Sequence, residues 1–355
     1  MKLRPLLALI AMVTAGAPAA GQVGPEATKT YGSADPSRAL LIRGTTDIGP
    51  FGPVLALFAE TALDLRITYE QWASNDLYTR AAAACAGTAG SADLLISSSV
   101  DQIVKLVNDG CARPHRSVAT EALPEDLNWR DEVFGITAEP AVIVYNQRLV
   151  PEAEAPKTRF DLIDLLRPVD SRYLGRVATY DIEVSGLGYL FAFVDSLQAT
   201  TFGSLMEAFG RSGAVATCCS AEIIDGVASG DYLIAYNVLG SYALLRAADD
   251  PDLAVVAPQD YTLLLSRAAM IPRSAENHGD AAALVDFLLS EFGRRALAQS
   301  RLLLEDDGAV FRPAEEDDTV LRRIPLSPIL LVGLDQEKRA RFLDLWRATF
   351  PDRSP

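Results

Sequence analysis

Ala39-Leu40-Leu41-Ile42-Arg43-Gly44-Thr45-Thr46-Asp47 carries the chain from an apolar run through a glycine into hydroxyl and carboxyl side chains. Beyond Asp47 the period changes: Val54, Leu57, Phe58, Ala62 and Leu65 recur at steps of three and four, the spacing of one helix face. This is a strand, a turn and a helix in succession, with Gly44 allowing the tight turn and Thr46 or Asp47 placed to cap the helix. The unit recurs at Ala92–Ser97, where Ser97-Ser98-Ser99 precedes Val100, Ile103, Val104 and Val107. There Ser99 and Gln102 have capping-box spacing, which leaves the Ser97 and Ser98 hydroxyls unemployed.

Further β-rich runs stand at Leu65–Gln71, Ala141–Tyr145, Arg176–Tyr180, Leu233–Asn237, Leu253–Ala257 and Ala268–Ile271, with helix-period runs between them and no internal repeat. The alternation predicts an α/β protein with mixed, mostly parallel sheets and helices on both faces. Two breaks divide it. The polar stretch Gln147–Lys157, with Pro151 and Pro156, follows Ala141–Tyr145, and the acidic turn Asp249-Asp250-Pro251-Asp252 precedes Leu253–Ala257. Residues 38–142 plus 255–320 are expected to form a discontinuous first lobe and 143–254 a second, with a ligand cleft between them. Residues 321–355 form a C-terminal extension whose last helix, Asp335 to Phe350, is expected to bury Leu334, Phe342, Leu345 and Trp346.

The chain's address is read at its start. Lys2 and Arg4 precede an apolar run from Leu6 to Val13 and then Ala17-Pro18-Ala19, the pattern of a secretory signal peptide over 1–19. Residues 20–37, rich in Gly, Pro, Ala, Thr and Ser, read as a flexible leader. No stretch reaches the roughly 20 apolar residues a membrane span needs, so a periplasmic location without membrane insertion is expected. With 32 basic against 47 acidic side chains the net charge is −15, which disfavours nucleic acid. It does not exclude an anionic ligand, because backbone N–H groups can make a cleft locally positive.

Four cysteines in an exported chain are open to oxidation. Cys85 and Cys111 each end a helix in consecutive strand–helix units, which places them for a disulfide. Cys218-Cys219 could close a vicinal ring, stay reduced or cross-link elsewhere. His115 and His278, the only two histidines, stand at no ligand spacing from the cysteines, so no zinc site and no cofactor are expected. The chain contains no Gly-x-Ser-x-Gly elbow, P-loop, Gly-x-Gly-x-x-Gly or His-Glu-x-x-His, which argues against an enzyme.

Binding chemistry is instead concentrated where strands end and helices begin, the ligand side of an open α/β sheet. Thr45, Thr46 and Asp47 occupy one such place, and Ser97 and Ser98 another. Ser185 and Gly186 open an apolar helix, and Tyr236, Asn237, Ser241 and Tyr242 follow the run Leu233–Asn237. Unpaired N–H groups and the dipole at helix starts suit phosphate or carboxylate.

At these residues the chain resembles the type-II periplasmic solute-binding proteins of the ferric-ion-binding group and its relatives for phosphorylated organic anions. The resemblance runs from Leu40 to Phe311 and is carried by Gly44-Thr45-Thr46-Asp47-Ile48, Ala92-Asp93-Leu94-Leu95-Ile96-Ser97-Ser98, Lys105-Leu106-Val107-Asn108-Asp109-Gly110 and Tyr145-Asn146. Tyr236–Ala243 and Asp250–Val256 extend it. It implies a monomeric, two-lobe Venus-flytrap receptor, with Tyr145 among its ligand residues, that hands a small anionic solute to an ABC permease. Relatives that work with a histidine kinase make a membrane sensor kinase the alternative partner. The iron-binding members use two consecutive tyrosines; here the matching place reads Tyr242-Ala243, so ferric ion ranks below an organophosphate or carboxylate.

Overall fold

The computed structural model describes residues 24–198, 200–303 and 319–350. The signal peptide expected over 1–19 lies outside them. In chain order the strands are β1 (Ala27–Gly32), β2 (Arg38–Gly44), β3 (Leu65–Gln71), β4 (Leu94–Ser97), β5 (Asn128–Trp129), β6 (Val133–Gly135), β7 (Glu139–Asn146), β8 (Val177–Tyr180), β9 (Val215–Thr217), β10 (Ile234–Leu239), β11 (Leu253–Val256), β12 (Thr262–Leu265), β13 (Ala268–Met270) and β14 (Leu321–Arg323).

They form two sheets. The first runs β1-β3-β2-β4-β13-β6-β5, and the second runs β14-β12-β7-β10-β8-β9 with β11 also paired to β7. β2 lies parallel to β3 and β4, and β8 parallel to β9 and β10, as strand–helix–strand units require. The strands at the crossings, β7, β12 and β13, make antiparallel pairs with neighbours in their own sheets, so the sheets are mixed rather than mostly parallel.

The sheet assignments move both crossings. Val133–Gly135 belongs to the first sheet and Glu139–Asn146 to the second, so the chain leaves the first lobe within 136–138, not at 142/143. It returns between Leu265 and Ala268, not at 254/255, because β11 and β12 both pair with β7. The acidic turn 249–252 is therefore a turn inside the second lobe, and the polar stretch after Tyr145 is one too. The leader also needs correction: within 20–37, Ala27–Gly32 pairs antiparallel with β3 over six residues. Thr28, Thr30 and Tyr31 are β-formers, and backbone pairing at a sheet edge requires little apolar surface.

The first lobe's core packs Leu40, Ile42, Ile67 and Leu94 against Phe51, Val54, Leu55, Leu284 and Leu297 from the helices Ile48–Thr61, His278–Leu289 and Glu291–Gln299. The second lobe's core joins Ile143, Val177 and Ile234 to Leu205 and Phe209 of the helix Phe202–Ser212. A third buried cluster runs between the lobes, from Val104 and Val107 to Leu190 and Phe191.

The C-terminal segment bridges the two halves. β14 adds to β12 of the second sheet, while the Leu326 N–H donates to the Asp126 carbonyl of the first lobe at 2.8 Å. The last helix, Gln336–Thr349, lies on the second lobe, with Phe342 stacked on Phe202 at 5.8 Å and Arg347 paired with Glu183 at 2.7 Å. Its buried side holds Leu343, Trp346 and Thr349, with Leu334 and Phe342 partly buried, whereas Leu345, expected inside, is 49 % exposed. The apolar face is centred between 342/343 and 346, which turns Leu345 toward solvent. Among the described residues no helix is long and apolar enough to cross a membrane.

Candidate functional site

A cleft of about 190 Å³ lies between the lobes, over the crossings. Its lining includes Thr45, Asp47, Gln71, Trp72, Ser74 and Ser98 from the first lobe and Tyr180, Ser185, Cys219, Ser220 and Tyr242 from the second, with Arg267 from a crossing. Six helices begin at or within two residues of this lining: Ile48–Thr61, Ser74–Cys85, Val100–Asn108, Gly186–Gln198, Ser220–Ser229 and Gly240–Asp249. The sequence folds this way because each strand of a parallel unit ends on the same side of its sheet, and the next helix starts there.

Five of the twelve residues singled out in the sequence line the cleft: Thr45, Asp47, Ser98, Ser185 and Tyr242. The Thr45 and Ser98 hydroxyls stand 3.1 Å apart, and the Ser98 N–H donates to Thr45 Oγ1 at 3.0 Å. Ser185 Oγ accepts the Gly188 N–H of its own helix at 3.0 Å. The lobes meet directly at Tyr242, whose hydroxyl accepts the Asp47 N–H at 3.1 Å. Gly186 marks a second meeting point. Its N–H donates to Ser74 Oγ at 2.9 Å, and a Cβ there would fall 2.7 Å from both Gln102 Nε2 and Ser99 Oγ. Glycine is thus required by close approach rather than by a turn.

The other six residues are employed elsewhere. Thr46 is fully buried, its hydroxyl accepting from Arg267 and its carbonyl from Tyr69. Ser97 Oγ accepts the Ser99 N–H inside its own turn. Tyr236 lies in the second lobe's core, bonded to Asp195 and, at 2.7 Å, to Arg159 Nε. Asn237 takes a left-handed conformation, φ 63°, at a bulge between β10 and β7, which suits asparagine. Ser241 donates to the buried Glu139 at 2.5 Å. Tyr145 stands in β7 opposite Ile234 and Ala254, away from the cleft lining.

Two capping expectations also change. Asp47 precedes the helix Ile48–Thr61 but its side chain does not cap it. Gln71 of β3 takes that role: its Oε1 accepts the Ile48 N–H at 3.0 Å, and its Nε2 donates to Asp47 Oδ1 at 3.1 Å. Burial raises the Asp47 carboxyl above its ordinary range, and the Arg267 charge partly offsets this. The Ser99–Gln102 capping box does not form, because Gln102 Nε2 donates to Asn75 Oδ1 instead.

Beneath the cleft lies a knot that sequence reasoning missed. Arg267, 1 % exposed, holds Glu139 through Nε at 2.8 Å and Nη2 at 3.0 Å, and its Nη1 donates to Thr46 at 3.0 Å. The Thr137 hydroxyl donates to Glu139 at 2.8 Å and accepts the Arg267 N–H at 2.8 Å. Both crossings, the first lobe through Thr46 and the second through Ser241 are tied at one buried ion pair. The signal was present in Leu263-Leu264-Leu265-Ser266-Arg267-Ala268-Ala269-Met270, a lone charge inside an apolar run. Gln71 to Ser74 and Cys218 to Ala221 were missed too, though both sit where a strand hands over to a helix. Below one wall, Cys85 and Cys111 are joined by a disulfide, with Cα atoms 5.4 Å apart.

The comparisons with known proteins agree with this geometry. Residues 40–300 match the family described as bacterial extracellular solute-binding protein. The substrate-binding protein of an ABC transporter from Agrobacterium tumefaciens is 30 % identical, covers 91 % of this chain and 98 % of its own, and superposes with a TM-score of 0.84. The chain therefore belongs to the bacterial extracellular solute-binding proteins and has their two-lobe, type-II fold; these are binding proteins, not enzymes, and they act outside the cytoplasm. Iron-bound HitA from Pseudomonas aeruginosa shares the fold at 17 % identity, 88 % and 99 % coverage and TM-score 0.65. So does AfuA from Actinobacillus pleuropneumoniae with fructose-6-phosphate bound, at 16 %, 88 % and 99 %, and 0.66. No sequence among the curated proteins matches.

Proposed function

We propose that the protein is the solute receptor of an ABC importer and that its cleft takes a small organic anion, phosphorylated or carboxylated. The observation that carries this is the convergence of six helix starts, three from each lobe, on one cleft above a buried arginine. A helix start carries about half a positive charge and N–H groups without intrahelical partners, of which those of Ile48, Gly186 and Gly188 already have side-chain acceptors; six such dipoles together favour an anion inside a protein whose exterior is acidic. The hydroxyls of Thr45, Ser74, Ser98, Ser185 and Ser220 add donors along the same lining. The importer role rests on the Agrobacterium relative, and the anion reading has a parallel in the sugar phosphate held by AfuA.

The ferric-ion reading fits less well. The two tyrosines on the lining, Tyr180 and Tyr242, are far apart in sequence, and both hydroxyls are engaged: Tyr180 with Ser220 Oγ at 2.5 Å, Tyr242 with the Asp47 N–H. Burial also pushes the Tyr180 phenol well above its ordinary value. Isothermal calorimetry against a panel of organophosphates and di- and tricarboxylates tests the proposal. Saturable binding of at least one anion is expected; silence across the panel together with tight ferric-ion binding would overturn it.

A further inference from the structure

We propose that Cys218, Cys219 and Glu222 form a binding site for a thiophilic divalent cation, with Zn²⁺ as its type, on the second-lobe wall of the cleft. Both thiols are unbonded and exposed, and both line the cleft. The two sulfurs and a Glu222 carboxylate oxygen all lie within 4.8 Å of one another. Cys85 and Cys111 are consumed by their disulfide, so this pair holds the chain's two remaining thiols.

Local structure sets the donors out in an ordered way. Thr217 ends β9, Cys219 immediately precedes the helix Ser220–Ser229, and Glu222 stands in that helix's first turn. The Thr217 hydroxyl donates to Glu222 Oε1 at 2.7 Å, which leaves Oε2 beside Cys219 Sγ at 4.0 Å. An outer hydrogen bond that orients a ligating carboxylate is a usual companion of metal sites. Tetrahedral Zn²⁺ with bonds of about 2.0–2.3 Å needs its donors ~3.5–3.8 Å apart. The Cys219 Sγ–Glu222 Oε2 separation of 4.0 Å is wider than this by about half an ångström, and no pair exceeds 4.8 Å, gaps that exposed side chains close by rotation.

The donor set selects the cation. Two sulfurs and one carboxylate suit Zn²⁺ and its softer relatives, whereas ferric, calcium and magnesium ions prefer all-oxygen sites. Three protein donors leave a fourth position open toward the cleft, for water or for an oxygen of the solute. The site stands whether or not the solute is an anion, because it is defined by the wall residues alone.

The test uses the full chain with these two thiols kept reduced and the Cys85–Cys111 bond intact. Titration with Zn²⁺ against a chromophoric chelator is expected to show one retained equivalent, and Co²⁺ to give the near-ultraviolet absorption of a two-thiolate site. Cys218→Ser/Cys219→Ser abolishes both signals, and Thr217→Val, which removes only the orienting bond, weakens retention about 10-fold. Circular dichroism confirms that these surface variants stay folded. Failure of the reduced protein to retain Zn²⁺, or retention unchanged in the double serine variant, overturns the proposal. So does isolation of the native protein with the pair closed into a vicinal disulfide that resists mild reduction. A failed anion panel leaves these readouts untouched, so the two readings fail separately.

Discussion

Arg267 and Glu139 carry a large share of what single residues do here. Both are essentially inaccessible, and their charges are compensated mainly by each other and by three hydroxyls. Removing one partner strands the other's charge in a low-dielectric interior, which costs far more than the pair contributes. Arg267→Met is therefore expected to lower the unfolding free energy by about 3–5 kcal/mol in urea titrations, and Arg267→Met/Glu139→Leu to recover most of it. Solute binding should be lost in both, since the arginine at the cleft floor is missing in each. Residue placements were legible at strand–helix handovers, as at Thr45, Ser98 and Ser185, which all stand on the cleft lining. They were not where the partner is remote in sequence: Glu139 and Arg267 are 128 positions apart, and nothing local marks Ser241 as their neighbour.

Among the elements, the consecutive helices Ser74–Cys85 and Val100–Asn108 form a first-lobe wall, and a disulfide fastens the end of the first to Cys111 beyond the end of the second. The bond closes a separation of 26 residues, for which loop-closure entropy gives about 3.5 kcal/mol. Cys85→Ala/Cys111→Ala should lose roughly that much stability in denaturant melts while solute affinity changes little, because neither cysteine lines the cleft. Every strand read from the sequence is present, with ends displaced by two residues at most. The unread ones, Ala27–Gly32, Asn128–Trp129, Val133–Gly135, Val215–Thr217, Thr262–Leu265 and Leu321–Arg323, are mostly short or peripheral. Such strands are held by neighbours rather than by their own pattern, so periodicity is a weak guide to them. The same blindness hid the crossings, because antiparallel pairing of β11 and β12 with β7 is a tertiary fact.

Across the whole molecule, closure brings buried polar groups together. Asp101, 3 % exposed, opens the helix Val100–Asn108 where the first lobe meets the helix Gly186–Gln198 and the segment Leu331–Leu334. Burial pushes its carboxyl up to about 7, against weaker opposition from backbone N–H groups and Arg339. A raised carboxyl means the folded state binds the proton more tightly than the unfolded chain. Its contribution is complete below the unfolded value near 4 and fades as pH rises through about 7. Asp101→Asn should remove this slope and leave the protein more stable than the parent above pH 7, by up to a few kcal/mol at about 1.4 kcal/mol per decade of proton affinity. Urea melts from pH 4 to 8 would show it; parallel curves for parent and variant would refute it.

The segment that ends the chain has a consequence for how the protein is made. The second sheet is finished by β14, and the surface of that lobe is covered by the helix Gln336–Thr349; the first lobe likewise lacks β13 and two packing helices until residues past 268 arrive. The first lobe's core is therefore complete only with residues past 268, and the second lobe's only with the segment past 320. A nascent chain without these residues carries unpaired sheet edges and bare apolar faces in both halves, surfaces that invite association with other chains until they are covered.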